Sequence, residues 1–222
     1  KTTAMVVVTG GGAVVKAAMN SGKKCVAAGP GNPPVVVDET ADIDLAGRGI
    51  VRGASFDNNV ICTDEKEVFV VDKVADKLID VMQDEGAVLL RNHQITRLER
   101  LILTPDREHI NRDWVGQDAG KMLREIDVPF QGDPRLIICE VPFGHPFIQL
   151  EKLMPVVGIC RVADVNEGID RAYEAEHGYR HTASMYSRNL DALHRMACVM
   201  NCSIFVKNAP NYAGLGFGGE GY

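Results

Sequence analysis

The chain reads as an α/β fold, a mostly parallel, twisted sheet flanked by helices. Three observations carry that reading. Short apolar, β-branched runs alternate with segments of helical periodicity along the whole chain, the order that builds parallel sheets. Turns rich in glycine and proline punctuate them. Of the 222 residues, 45% are hydrophobic and 24% charged, enough for such a chain to cover both faces of a sheet.

Each element follows from local pattern. Residues 5–9 (Met-Val-Val-Val-Thr) form a buried strand, and glycines 10 to 12 turn the chain into a helix over 13–20, stopped by Gly22. Residues 24–28 are a second strand, 29–34 a stiff Gly-Pro loop, and 35–37 a third strand. An amphipathic helix follows over 42–53, capped by Thr40 or Asp42. Residues 55–64 are a polar segment around Cys62. Beyond it come a strand at 67–71 and a helix at 74–85, then short helices near 95–102 and 118–125. Strands at 135–140 and 155–162 precede a helix at 164–177, a strand at 182–187, a helix at 190–201 and a strand at 203–206. Neither an internal repeat nor a low-complexity linker interrupts the series.

Composition narrows the function classes. A net charge of −6 argues against a general nucleic-acid binder, which carries a basic face. No apolar run approaches the ~20 residues that cross a bilayer. No leader is expected, since Lys1-Thr2-Thr3 runs straight into the first strand, and the abrupt ends read as those of a fragment. The six cysteines (25, 62, 139, 160, 198, 202) are irregularly spaced. No histidine or second cysteine pair completes a zinc set around Cys198 and Cys202, so reduced thiols in the cytoplasm are expected and no metal site.

Five segments could carry chemistry, each with a plainer alternative. Thr9-Gly10-Gly11-Gly12 between a strand and a helix suits a phosphate cradle, although such glycines often serve geometry alone. Phe56-Asp57-Asn58-Asn59-Val60-Ile61-Cys62 ends a polar loop on a thiol. A thiolate there would attack a carbonyl carbon while a backbone N–H held the oxyanion, and the alternative is a half-buried cysteine without a role. Cys139 and Cys160, inside apolar runs, read as core, whereas Cys62 is expected to be exposed and readily alkylated. Gly29-Pro30-Gly31-Asn32-Pro33-Pro34 reads as a stiff connection. Glu151, in Leu150-Glu151-Lys152-Leu153-Met154-Pro155, could hold a ribose or simply face solvent. The tail over 214–221 has too many glycines for a helix and is not a dinucleotide fingerprint. A Cys–His pair of protease type has no local signature around Cys62.

Taken together and in this order, the segments resemble the aldehyde dehydrogenase superfamily. They resemble most its coenzyme-A-acylating branch, the propionaldehyde and acetaldehyde dehydrogenases of bacterial microcompartments. The resemblance rests on Val8-Thr9-Gly10-Gly11, Gly29 to Pro34 with Val37-Asp38-Glu39-Thr40-Ala41-Asp42, and Ser55-Phe56-Asp57-Asn58-Asn59 through Cys62 to Glu65-Lys66. Leu153-Met154-Pro155, His181-Thr182-Ala183 and Ser203-Ile204-Phe205-Val206-Lys207-Asn208 extend it to the glycine-rich tail.

The resemblance implies that residues 1–31 end a nucleotide-binding domain and that 32–222 form the catalytic domain. Cys62 is then the nucleophile, passing through a thiohemiacetal and a thioester, with its backbone N–H in the oxyanion hole. Thr9, Gly10 and Gly11 lie near the cofactor, NAD, and Glu151 holds the nicotinamide ribose. The substrates are a short-chain aldehyde and coenzyme A. A homo-oligomer, contact with a microcompartment shell and a place inside that compartment in the cytoplasm are further implications. One departure from the wider superfamily is informative. Hydrolytic members carry a water-activating glutamate where this chain has Ala28-Gly29-Pro30-Gly31, and no carboxylate lies between Lys24 and Val37. That favours transfer to a thiol over the two alternatives, a hydrolytic dehydrogenase making a free acid and a non-catalytic cargo domain of a protein shell.

Overall fold

The computed structural model describes residues 3–216, so most of the glycine-rich tail, together with Lys1 and Thr2, lies outside the described residues. Strand β1 (Met5–Thr9) leads through the glycine turn into helix α1 (Gly12–Met19), and β2 (Lys24–Ala28) returns parallel to β1. These two strands pair only with each other among the described residues.

The remaining strands make one sheet. In chain order they are β3 (Pro34–Val37), β4 (Glu67–Val71), β5 (Ala87–Leu90), β6 (Leu136–Glu140), β7 (Val156–Val162), β8 (Thr182–Tyr186) and β9 (Ile204–Lys207). Their spatial order is β5-β6-β7-β4-β3-β8-β9, and every pairing is parallel. The expected parallel α/β architecture is therefore present. Both faces are covered, as an all-parallel sheet requires. Helices α2 (Ile43–Ala54) and α3 (Asp72–Asp84) pack with Val35, Val37, Val68 and Val70 on one face. On the other face lie α4 (His93–Ile102), α5 (Ala119–Glu125), α6 (Pro146–Gln149), α7 (Val165–Ala175) and α8 (Leu190–Met200), over a core that includes Val36, Phe69 and Val71. Burial on both sides explains why β3 and β4 are unbroken apolar runs rather than alternating ones.

Local chemistry sets the helix starts. Asp42, not Thr40, caps α2, its carboxylate accepting from the Leu45 N–H at 3.1 Å. Thr40 instead bonds Asp38 and Ser187 across the ends of β3 and β8. Two elements went unread in the sequence, the edge strand β5 and the single-turn helix α6. Helix α3 also starts two residues earlier than its apolar spacing suggests, at Asp72.

Candidate active site

Strands β7, β4, β3 and β8 are neighbours and run parallel, so their amino ends share one edge of the sheet. The loops entering that edge carry the residues of interest. Glu151 lies just ahead of β7, Cys62 ahead of β4, Gly31 ahead of β3, and His181 directly ahead of β8. This is the edge opposite to the carboxyl-end crevice that open parallel sheets commonly use. The turn after β1 and the end of β2 face it, which encloses a cavity of about 810 Å³. Thr9, Gly10, Gly11, Gly29, Pro30, Cys62 and Glu151 all line it, with a wall from the 108–115 segment. The residues singled out in the sequence thus come together although they lie up to 142 positions apart (151 − 9).

Close packing holds the entry loops together. A Cβ at Gly31 would stand 2.9 Å from the His181 ring and 3.0 Å from the Cys62 carbonyl, so only glycine lets these loops meet. The Gly31 N–H donates to Glu151 Oε1 at 3.2 Å. Asn32, fully buried, donates from Nδ2 to the carbonyls of Ile148 and Ala175, both at 2.9 Å, tying this loop to α6 and α7. The His181 ring Nδ1 meets the Thr182 hydroxyl at 2.8 Å, and the His181 backbone N–H donates to Glu176 Oε1 at 3.0 Å.

The approach to Cys62 is a turn under strain. Asp57, Asn58 and Asn59 have φ of 45°, 52° and 62°, three successive left-handed residues of the types that tolerate this region best. Asn59 is wholly buried, and its Nδ2 donates to Ala54 O at 2.8 Å and Glu65 O at 2.9 Å. Asn58 Nδ2 donates to Gly116 O at 3.0 Å.

Below this turn lies a feature that sequence reading missed. Asp64, Glu65, Lys66 and Glu67 are four consecutive charged residues, and all four are 0% exposed, as is Lys152. Lys66 Nζ donates to Asn59 O (2.9 Å), Asn59 Oδ1 (2.6 Å) and Ile61 O (3.0 Å). Lys152 Nζ donates to Phe147 O (2.7 Å), Lys66 O (3.0 Å) and Leu150 O (3.3 Å). The Glu65 carboxylate accepts from the Asn211 N–H at 2.8 Å and lies against Gly53 of α2, where a Cβ would come within 2.2 Å of it. The one available signal was position, since the charged run abuts an unbroken apolar strand.

Burial sets the protonation states. It pushes the Cys62 thiol up, the negative charge of Glu151 adds to this, and Lys66 opposes it. Cys62 is half-buried rather than exposed as expected, since it sits among the entry loops. Cys198, on α8, is the exposed thiol among the described residues, while Cys139 and Cys160 are buried as expected. Burial raises Glu151 as well, against the Gly31 N–H that lowers it, and lowers His181, with Lys66 acting in the same direction.

Burial also pushes Glu65 up to about 8 and Asp64 up to about 7. Both hold protons in the folded chain at pH values where the unfolded chain has released them. Their stabilising contribution is complete below about pH 4 and is lost as the pH rises through about 7 to 8, at up to about 1.4 kcal/mol per pH unit for each group. Lys152, pushed down to about 8 by burial, acts in the opposite sense only above that value. The thermal midpoint should therefore fall between about pH 5 and pH 8. Glu65→Gln keeps the acceptor for Asn211 and should flatten that slope. A midpoint that rises across this range in differential scanning would mean that these carboxyls are ionised in the fold.

The model of the aldehyde dehydrogenase family matches residues 1–100. The acetylating acetaldehyde dehydrogenase EutE of Salmonella typhimurium is 50% identical over 98% of this chain and 48% of its own length. The propionaldehyde dehydrogenase of Rhodopseudomonas palustris, in a crystal structure with bound propionyl-CoA, superposes with a TM-score of 0.95 at 45% identity, over 99% of this chain and 48% of that one. The chain belongs to the aldehyde dehydrogenase family. It spans about half the length of the curated relatives it matches. A second structure of the R. palustris family member holds CoA and an acylated cysteine. A third relative is the propionaldehyde dehydrogenase of the Clostridium phytofermentans fucose utilisation microcompartment, with a TM-score of 0.94 at 42% identity over 99% of this chain and 50% of that one.

Proposed function

We propose that the complete polypeptide carrying this chain oxidises a short-chain aldehyde and passes the acyl group to coenzyme A, with Cys62 as nucleophile. The observation that carries this reading is the single cavity shared by the Cys62 thiol, Glu151 and the Thr9–Gly10–Gly11 turn. The relatives support it. One is an acetylating acetaldehyde dehydrogenase, and another holds propionyl-CoA in one structure and an acylated cysteine in a second.

The cavity suits a nicotinamide dinucleotide, which in this reading is NAD. Gly11 caps α1 without a side-chain hydrogen bond, leaving first-turn N–H groups for a diphosphate. A bound nicotinamide supplies a hydride acceptor. The chain's own residues do the rest. The Cys62 thiolate adds to the aldehyde carbon, and the Cys62 N–H holds the oxygen as its charge grows. Loss of hydride from that carbon leaves a thioester on Cys62, which the coenzyme A thiol then attacks. Lys66 favours the thiolate against burial and Glu151.

Glu151 is assigned to the nicotinamide ribose, with the Gly31 N–H fixing one of its oxygens. Glu151→Gln should weaken NAD binding or slow hydride transfer by about 1.5–3 kcal/mol, while Cys62 still reacts with iodoacetamide. Wild-type steady-state kinetics in that variant would remove the assignment.

Residues 1–31 are read as the end of a nucleotide-binding domain, and 32–222 as the catalytic domain. Assembly as a homo-oligomer, contact with a shell and a place inside a bacterial microcompartment belong to the same reading, supported by the C. phytofermentans relative. Among the described residues no helix is long and apolar enough to cross a membrane. The deciding experiment assays the complete polypeptide with C2 to C4 aldehydes and NAD, with and without coenzyme A. Acyl-coenzyme A and NADH formed in equal amounts support the proposal. Free acid formed equally fast without coenzyme A, or no NADH at all, would overturn it.

A further inference from the structure

The buried lysine under the nucleophile does more than fill space. Three acceptors surround Lys66 Nζ at 2.6–3.0 Å. Burial lowers the Lys66 pKa, and the charges of Asp64 and Glu151 oppose that. The three acceptors match the three N–H groups of an ammonium, one more than a neutral amine has. One acceptor is the Ile61 carbonyl, the other end of the peptide group whose N–H belongs to Cys62. A cation on the carbonyl oxygen draws electron density along the amide and strengthens the N–H at its far end as a donor. The Cys62 N–H donates to no other residue among those described. The same ammonium also binds Asn59 through two acceptors, and so pins the last residue of the strained left-handed turn. Lys152 holds the Lys66 carbonyl from behind, and the Lys66 N–H donates to Pro33 O at 3.0 Å, so the lysine backbone is fixed from both sides.

We propose that Lys66 is a positioning residue. Through the Ile61 carbonyl it orients and polarises the Cys62 N–H, which holds the oxyanion that forms when Cys62 adds to the aldehyde. The proposal rests on the assignment of Cys62 as nucleophile.

The test uses the complete enzyme and an aldehyde carrying ¹³C at the carbonyl. Infrared difference spectra of the acyl-enzyme, formed without coenzyme A, report the thioester carbonyl. In Lys66→Gln its stretch should move to higher frequency than in the wild type, because a weaker donor withdraws less density from the oxygen. The same variant should lose ~10- to 100-fold in kcat with an unchanged KM, less than the ~100- to 1000-fold that follows removal of a whole donor. An unchanged stretch beside a lowered kcat would make Lys66 a scaffold only and overturn the proposal, as would an unchanged kcat. If Lys66→Gln does not fold, the wild-type stretch decides. It should lie below that of the same acyl thioester in water, and a value at or above it overturns the proposal. Intact-mass mapping of the label separates this from failure of the underlying assignment. Label on another residue removes Cys62 as nucleophile, whereas label on Cys62 with an unmoved stretch removes only the role of Lys66.

Discussion

Replacing Cys62 with alanine in the complete polypeptide should lower aldehyde-dependent NADH formation by at least ~10⁴-fold, because the nucleophile is the one group that no neighbour can stand in for. The five other thiols are not placed to substitute. Cys139 and Cys160 lie in β6 and β7 and are buried, Cys198 sits exposed on α8, Cys202 donates to the Ile204 carbonyl ahead of β9, and Cys25 belongs to β2. Removing a half-buried sulfur from an entry loop should cost little stability, since the turn is held by Asn59 and Lys66 rather than by Cys62. The variant should therefore keep the thermal midpoint of the parent and still bind NAD. Activity within tenfold of the parent would move the nucleophile elsewhere.

The second large effect concerns the fate of the acyl group. Without coenzyme A, the complete enzyme should release one burst of NADH per active site and then turn over slowly, with the acyl group retained on Cys62. The turn over Gly29, Pro30 and Gly31 brings no carboxylate of its own to the cavity. A positioned base is worth ~10²–10⁴-fold in water attack, so the resting thioester should persist by about that factor. A bound thiol needs less activation than water and should discharge the thioester quickly. Two carboxylates line this cavity, Glu108 on the 108–115 wall and Glu151. Burial raises the Glu151 pKa, and the Gly31 N–H occupies one of its oxygens. Rapid free-acid release that disappears in Glu151→Gln would identify Glu151 as a hydrolytic base and place the protein in the other branch. Rapid release that survives the substitution would point to another base, with Glu108 on the same cavity wall the first to replace.

How much of this was legible in the sequence depends on where the decisive contacts come from. The central strands β3, β4 and β7 could be read because their patterns are local, short β-branched apolar runs bounded by proline or charge, with β7 interrupted only by Gly158 and Arg161. Edge strand β5 could not. It is a run of four apolar residues set off from α3 by Glu85 and Gly86, too short for its pattern to tell strand from helix. Helix α6 is a single turn, too short for any periodicity to register. The site divided in the same way. Cys62, Glu151 and the glycine turn were legible because each sits in a distinctive local motif. The burial of the run from Asp64 to Glu67 was not legible because its partners come from afar, Lys152 on the Lys66 carbonyl and Asn211 on Glu65. No local pattern announces partners 80 or more residues away, the separations being 86 for Lys152 and 146 for Asn211. The exposure assumed for Cys62 failed for the same reason, since the residues that cover it belong to other loops.

The contact between Gly53 and Glu65 also constrains how such a chain can change over generations. Any side chain at position 53 would occupy the space of the Glu65 carboxylate, and shortening residue 65 would leave that space empty beside α2 and the Asn211 N–H without its acceptor. Either change alone is harmful, while both together refill the volume. The order of events then matters. A lineage that first shortens residue 65 passes through an underpacked intermediate costing about 1–3 kcal/mol, whereas one that first enlarges residue 53 must force the Glu65 carboxyl away from the Asn211 N–H. The first path is passable for a stable ancestor and the second is nearly closed. The helix face under the nucleophile loop should thus drift in pairs, with residue 65 moving first.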